Sequence, residues 1–164
     1  MRGFWPALPL GVKFLKVAPH FKSRPDMSPN TISHQTALIY VMVVVAAADG
    51  IISDKELKTI GDLSKHLPAF RDFDHSRVLV TAQDCGAILQ EAEGLDAVMG
   101  LAKAALPEHL RETAYWLALE VALADSRVML EEIRVVEVIR RALGIDKLTA
   151  AALERGARAR YQIA

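Results

Sequence analysis

The stretch AAADGIISDKELKTIGDLSKHL, residues 46–67, decides the fold. An alanine-rich run stops at Asp49-Gly50, and glycine suits the left-handed backbone just past a helix C-terminus. Ser53-Asp54-Lys55-Glu56 then reads as a capping box. In that device the Ser53 hydroxyl accepts from the Glu56 backbone N–H while the Glu56 carboxylate reaches back to Ser53. The following helix starts at Asp54 and stops before Pro68. Leu57, Ile60, Leu63 and Leu67 fall on one of its faces. One helix end, one tight acidic turn and one helix start are thus legible within 22 residues.

Upstream, Ala37 to Ala48 is an unbroken apolar run of 12 residues. As a helix it spans about 18 Å, short of the ~20 residues a bilayer requires. It therefore reads as a helix enclosed by protein, capped by Thr31 or Ser33. Downstream, Pro68 to Phe73 reads as a loop, followed by a helix from about Asp74 to Gln90. Gly94 separates that helix from one ending near Ala105. Pro107 suits the first turn of a helix running to Ala124. Two more are expected, near Leu130–Leu143 and Asp146–Tyr161, divided by Gly144. The expectation is an all-α chain of about seven helices. Composition agrees: 52% of the 164 residues are apolar but only 6% are aromatic, a balance that favours helices over strands. A chain this long buries a core without needing a disulfide or a metal merely to fold.

Sliding the chain along itself by 76 residues exposes an internal repeat. Ala48-Asp49-Gly50 falls on Ala124-Asp125-Ser126, Ile52 on Val128 and Glu56 on Glu132. Leu57, Ile60, Leu63 and Leu67 fall on Ile133, Val136, Ile139 and Leu143. Upstream, Tyr40 meets Trp116, Val45 meets Val121 and Ala46 meets Ala122. Each unit is an apolar helix, an acidic turn and an amphipathic helix. Neither unit can bury its apolar helix alone, so two units packed about a pseudo-two-fold axis are expected.

The first stretch, with its second half LALEVALADSRVMLEEIRVVEVIRRALGI at 117–145, resembles the TerB-like family of tellurite-resistance domains. In that family a helix ends in Ala-Asp-Gly and the next opens with a capped Ser/Thr-x-x-Glu. The resemblance covers roughly residues 30–161. Its second half departs from the pattern, with Ser126 and Arg127 where Gly and a small or polar residue are usual. Met129 stands where the capping Ser or Thr would be. The resemblance implies an all-helical fold, a role in tellurite resistance or a broader chemical-stress response, and an acidic metal-binding surface. It implies no catalytic activity.

Asp49 and Asp125 sit at helix C-termini, where the macrodipole disfavours a carboxylate by a few tenths of a kcal/mol. Two readings offset that. Each carboxylate leans toward the N–H groups opening the next helix, and the turns are structural. Otherwise Asp49, Glu56, Asp125 and Glu132 converge on a cation, with Asp54 and Glu131 nearby. All-oxygen ligation suits a hard cation such as calcium or magnesium and not zinc. An EF-hand is rejected, because DGIISDKEL matches only its second half. The first and third ligand places fall on Val45 and Ala47, which offer no oxygen side chain.

No other constellation emerges. His20, His34, His66, His75 and His109 are scattered without HExxH spacing. Cys85 reads as a buried, inert thiol, and no G-x-S-x-G or glycine-rich phosphate loop is present. Tyr40, Tyr115 and Trp116 lie in apolar helices and read as core. The expectation is not an enzyme. The lone cysteine points to a reducing, cytoplasmic setting.

Residues 1–26 stand apart as a basic, apolar arm ahead of a domain at 27–164. Phe4, Trp5, Leu8, Leu10, Phe14, Leu15, Val17 and Phe21 are broken by Pro6, Pro9, Pro19 and Pro25. Three readings stand for the arm: a start-site artefact with Met27 opening the native chain, a segment packing on the domain, or a peripheral membrane contact. Formal net charge is zero, yet residues 1–25 hold Arg2, Lys13, Lys16, Lys22 and Arg24 and no acid. That leaves 15 basic against all 20 acidic residues in 26–164, a net charge of −5. An acidic body argues against nucleic acid as partner. Two function classes are carried forward. One is a metal-responsive TerB-like module in a stress pathway; the other is a protein-interaction adaptor with purely structural acidic turns.

Overall fold

The computed structural model describes residues 31–124 and 130–163. Among them are seven α-helices and no strand: α1 His34–Ala46, α2 Asp54–His66, α3 Val78–Leu89, α4 Gly94–Ala105, α5 Glu108–Ala124, α6 Leu130–Leu143 and α7 Lys147–Arg160. The all-α expectation and its count hold for this part of the chain.

Helix α1 is the hub. Every residue from Ala37 to Ala46 is buried, and all but Tyr40 are at most 1% exposed. A helix apolar on all sides has to be enclosed on all sides, and α1 is. It packs most extensively on α5, α3 and α4, and also touches α2 and α6. Helix α5 repeats the arrangement, with Ala114, Tyr115 and Leu117–Ala122 buried. It packs on α1, α6, α7 and α2. The pairing between halves is reciprocal, since α1 meets both α5 and α6 while α5 meets both α1 and α2.

Helix starts follow the local chemistry. Ser33 caps α1, its hydroxyl accepting from Thr36 N at 3.0 Å. The Ser53–Glu56 capping box is complete. Asp146 caps α7, accepting from Leu148 N and Thr149 N; these bonds and the Thr149 hydroxyl hold its carboxyl below the usual range. Two details differ from expectation. The helix expected from Asp74 opens with a 3-10 turn, His75–Arg77, because Asp74 caps Ser76 first. The Pro68–Phe73 loop is not merely a connector. It contains the 3-10 turn Pro68–Phe70, and Phe70 enters the core at 2% exposure.

Glycine is required where α4 begins. A Cβ on Gly94 would sit 2.2 Å from the Ile88 carbonyl oxygen and under 3 Å from the Leu89 backbone. Backbone cannot yield as a flexible side chain does, so this contact fixes how closely α4 follows α3. Gly100, in the same helix, meets nothing within 4 Å.

Among the described residues one charged side chain lies in the core, beside the buried hydroxyls of Ser64 and Thr81. Glu120 of α5 is 1% exposed. Its Oε2 accepts from the Tyr161 hydroxyl at 2.8 Å and faces Arg160 Nε at 3.1 Å, both at the end of α7. Among the described residues Oε1 has no hydrogen-bond partner. The C-terminal end of α7 is therefore fastened to the middle of α5.

Two thermodynamic outcomes follow, both readable by denaturant unfolding. Gly94→Ala should destabilise by about 1–3 kcal/mol, the usual cost of overpacking, while Gly100→Ala should gain up to ~1 kcal/mol from helix propensity. Tyr161→Phe should cost about 1 kcal/mol, the net worth of one hydrogen bond, because Arg160 still faces the Glu120 carboxylate. In a Glu120→Leu background, where that carboxylate is gone, the same change should cost almost nothing.

Candidate functional site

The acidic turn between α1 and α2 is built from its own backbone. Gly50 takes φ +93°, and its N–H donates to the Ala47 carbonyl at 2.9 Å. The exposed Asp49 carboxylate accepts from Ile51 N at 3.0 Å. This is an Asx turn, in which an aspartate satisfies the backbone two residues on. Asp49 therefore offsets its unfavourable place at a helix end within the turn, rather than at the N-terminus of α2. That terminus is closed by the capping box: Glu56 Oε2 accepts from Ser53 N at 2.7 Å and from the Ser53 hydroxyl at 2.8 Å.

Of the four carboxylates expected to converge, three are described. Glu132 lies half-buried in the first turn of α6, where it has interactions of its own. Asp125 lies outside the described residues, as do Ser126 to Met129 of that turn. Among the described residues no three His, Cys, Asp or Glu side chains come together to hold an ion. Asp49, Glu56 and Glu132 are thus not gathered into one cluster within the described residues. Val45 and Ala47, which fill the EF-hand ligand places, are buried apolar side chains.

Tyr40 and Tyr115 are buried, Trp116 half-buried, as core residues should be. Burial pushes the Tyr40 hydroxyl up to about 12. Burial likewise pushes the Cys85 thiol well above its ordinary range, with Asp84 adding to it. Such a thiol is not a nucleophile at neutral pH. A Ser–His contact does occur, Ser64 Oγ to His75 Nδ1 at 3.2 Å. The Ser64 hydroxyl donates to the Gly61 carbonyl at 2.7 Å, however, so its proton faces its own helix. The pair clamps the 75–77 turn onto α2.

A concavity lies between α5, α6 and α7. It has a volume of about 370 Å³, within the range of ligand and side-chain pockets. Leu119, Ala122 and Leu123 of α5 and Ile133 and Val136 of α6 form its apolar wall. Tyr115, Glu137, Glu154 and Arg158 supply its polar groups. The Tyr115 hydroxyl donates to Glu154 Oε1 at 2.7 Å. Burial and that carboxylate together push it up, so it stays a donor. Glu137 is held down to about 2 by hydrogen bonds from Arg140 and Arg141. Ile133, expected on the buried face of α6 as the counterpart of Leu57, is instead 54% exposed at the groove. Leu130, one turn earlier, is 57% exposed.

Sequence reading missed this groove and the buried Glu120. The lone carboxylate within LALEVALA was the available signal for Glu120, since an acid amid a fully apolar helix has to find a partner. The groove depends on how three helices sit together, and only the exposed Ile133 marks it.

No helix among the described residues is long and apolar enough to cross a membrane. No curated protein and no solved structure matches the chain. The family model described as tellurite resistance protein TerB matches residues 35–155. That span covers α1 to α6 and most of α7, including both acidic turns, and the chain belongs to the TerB family.

Proposed function

We propose that this TerB domain serves tellurite resistance, or a broader chemical-stress response, as a non-enzymatic protein-interaction module. Its acidic turns are then structural caps. The observation that carries this reading is a contrast between two surfaces. The carboxylates of Asp49 and Glu56 are spent on their own turn and capping box. The groove between α5, α6 and α7 instead presents an apolar wall that includes the exposed Ile133. Exposed apolar surface of this kind marks interaction sites. The 76-residue register and the reciprocal helix pairing support reading the domain as two pseudo-two-fold-related units. A cytoplasmic setting fits a chain whose lone cysteine is a buried thiol.

A second reading keeps the metal. Asp49 and Asp125 occupy equivalent places in the repeat, as do Glu56 and Glu132. Together they would offer four carboxylates to calcium or magnesium.

Calorimetric titration of the full chain with calcium, magnesium, manganese and zinc separates the two. It is repeated with Asp49→Asn/Asp125→Asn. Asparagine can keep the Asx turn while removing the charge, so the double variant should melt as the parent does. The adaptor reading expects no saturable heat with any of the four ions. In cells that depend on this chain for tellurite tolerance, it expects Ile133→Asp to abolish tolerance and the double variant to retain it. Micromolar binding of a hard cation that the double variant loses, with tolerance lost alongside, would overturn the adaptor reading in favour of the cation.

A further inference from the structure

We propose that the groove between α5, α6 and α7 is occupied in the free chain by this chain's own N-terminal segment, Phe4 to Phe21, as a self-contact that a partner must displace. The inference rests on the reading of that groove as the docking surface, and it names how the surface is regulated.

The two halves of the fold are covered unequally. Helix α1 lies beneath both α3 and α4, whereas α5 is covered by α7. The consequence appears in the counterpart residues of the repeat. Leu57 of α2 is half-buried against the core, but Ile133 of α6 is more than half exposed. Around it the apolar side chains of Leu119, Ala122, Leu123 and Val136 enclose about 370 Å³. Unfilled apolar concavity forfeits dispersion contacts and leaves hydrocarbon in water. One or two large side chains fit such a volume.

The chain carries an occupant of that chemistry. Thirty residues precede the first described one, Thr31. Within them Phe4, Trp5, Phe14 and Phe21 hold four of the chain's ten Phe, Trp and Tyr side chains. Reach is no obstacle. The 26 peptide steps from Trp5 to Thr31 span up to ~85 Å when extended, about twice the diameter of a domain of this size. Charge is complementary as well. Residues 1–25 carry five basic side chains and no acid, against the net −5 of residues 26–164. At the groove itself Glu137 is paired with Arg140 and Arg141, and Glu154 with Arg158, so the attraction is that of the body as a whole and the apolar wall supplies the local contact. Opposite net charges draw a tethered segment toward the body, and the apolar wall then selects its aromatic side chains. Because the segment is tethered, its effective concentration at the groove is in the millimolar range, so weak contacts suffice to keep the groove closed until a tighter partner arrives.

The test follows Trp5 in the full-length chain. The emission of the parent minus that of Trp5→Phe isolates Trp5 from Trp116 without altering the core. The same difference is taken in Ile133→Asp, a substitution at an exposed position that leaves the fold intact by circular dichroism. The expected result is a Trp5 signal of a buried indole, shielded from acrylamide in the parent. In Ile133→Asp it should shift to that of an indole in water, with quenching increased several-fold. A Trp5 already in water in the parent would overturn the inference, and so would shielding that survives Ile133→Asp. Shielding lost on dilution would place the segment in a second copy, and shielding that needs anionic vesicles would place it on a membrane; either overturns the self-contact. None of these outcomes bears on the cation titration, so the two readings fail separately.

Discussion

Enclosing α1 is the constraint on which the fold depends. Ten consecutive buried residues, Ala37 to Ala46, have no polar side to turn toward water. Each large aliphatic side chain among them is worth roughly 1.5–3 kcal/mol when fully buried, so exposing any flank of this helix is costly. Helices on every side are the solution, and α2 to α6 all contribute. Helix α5 is the second such element but departs in one respect. It carries Glu120 in its buried run, and the end of α7 is recruited to satisfy it. The two apolar helices thus explain both the number of surrounding helices and the place where the last one is fastened.

This hierarchy explains what could be read from sequence. Helix starts at Ser53, Asp146 and Ser33 are local events, decided by a side chain and a backbone N–H within three residues. Apolar spacing placed Ile60, Val136, Ile139 and Leu143 in the core for the same reason. Ile133 shows where that logic stops. Its register equals that of Leu57, yet its exposure depends on what covers α6 from outside. The groove it borders is a relation among α5, α6 and α7 that no single helix encodes. The Asp49 carboxylate is a similar case. Its place at a helix end was plain, but its preference for Ile51 N over the next helix depends on Gly50 adopting a left-handed backbone. Glu56, by contrast, does what its spacing from Ser53 specified.

The polar groups of the interior are arranged to hold structure in place. Ser64 with His75, Tyr115 with Glu154 and Tyr161 with Glu120 each join elements distant in sequence. Two of the three end on α7, which contributes few fully buried side chains of its own, Ala150 and Ala157. A helix with so little apolar area to bury relies more on directional bonds for its position. In this member of the TerB family the all-helical body is held by aliphatic packing at its centre and by polar fastenings at its edge.

The uniformity of α1 has one more consequence. With aliphatic residues on every side, the helix has no distinguished azimuth, and turning it about its axis by a residue or two would bury almost the same hydrocarbon. Its rotational setting therefore has to come from the few directional contacts along it. Gln35 supplies one at the N-terminus, its amide donating to the Arg71 carbonyl at 2.9 Å. The Ser33 cap supplies a second, and the Cys85 thiol beneath the Tyr40 carbonyl, at 3.8 Å, a weaker third. The hub of this domain is thus an axle whose hydrophobicity fixes where it lies but not how it is turned, and the angle is keyed from outside by side chains that add little to its burial.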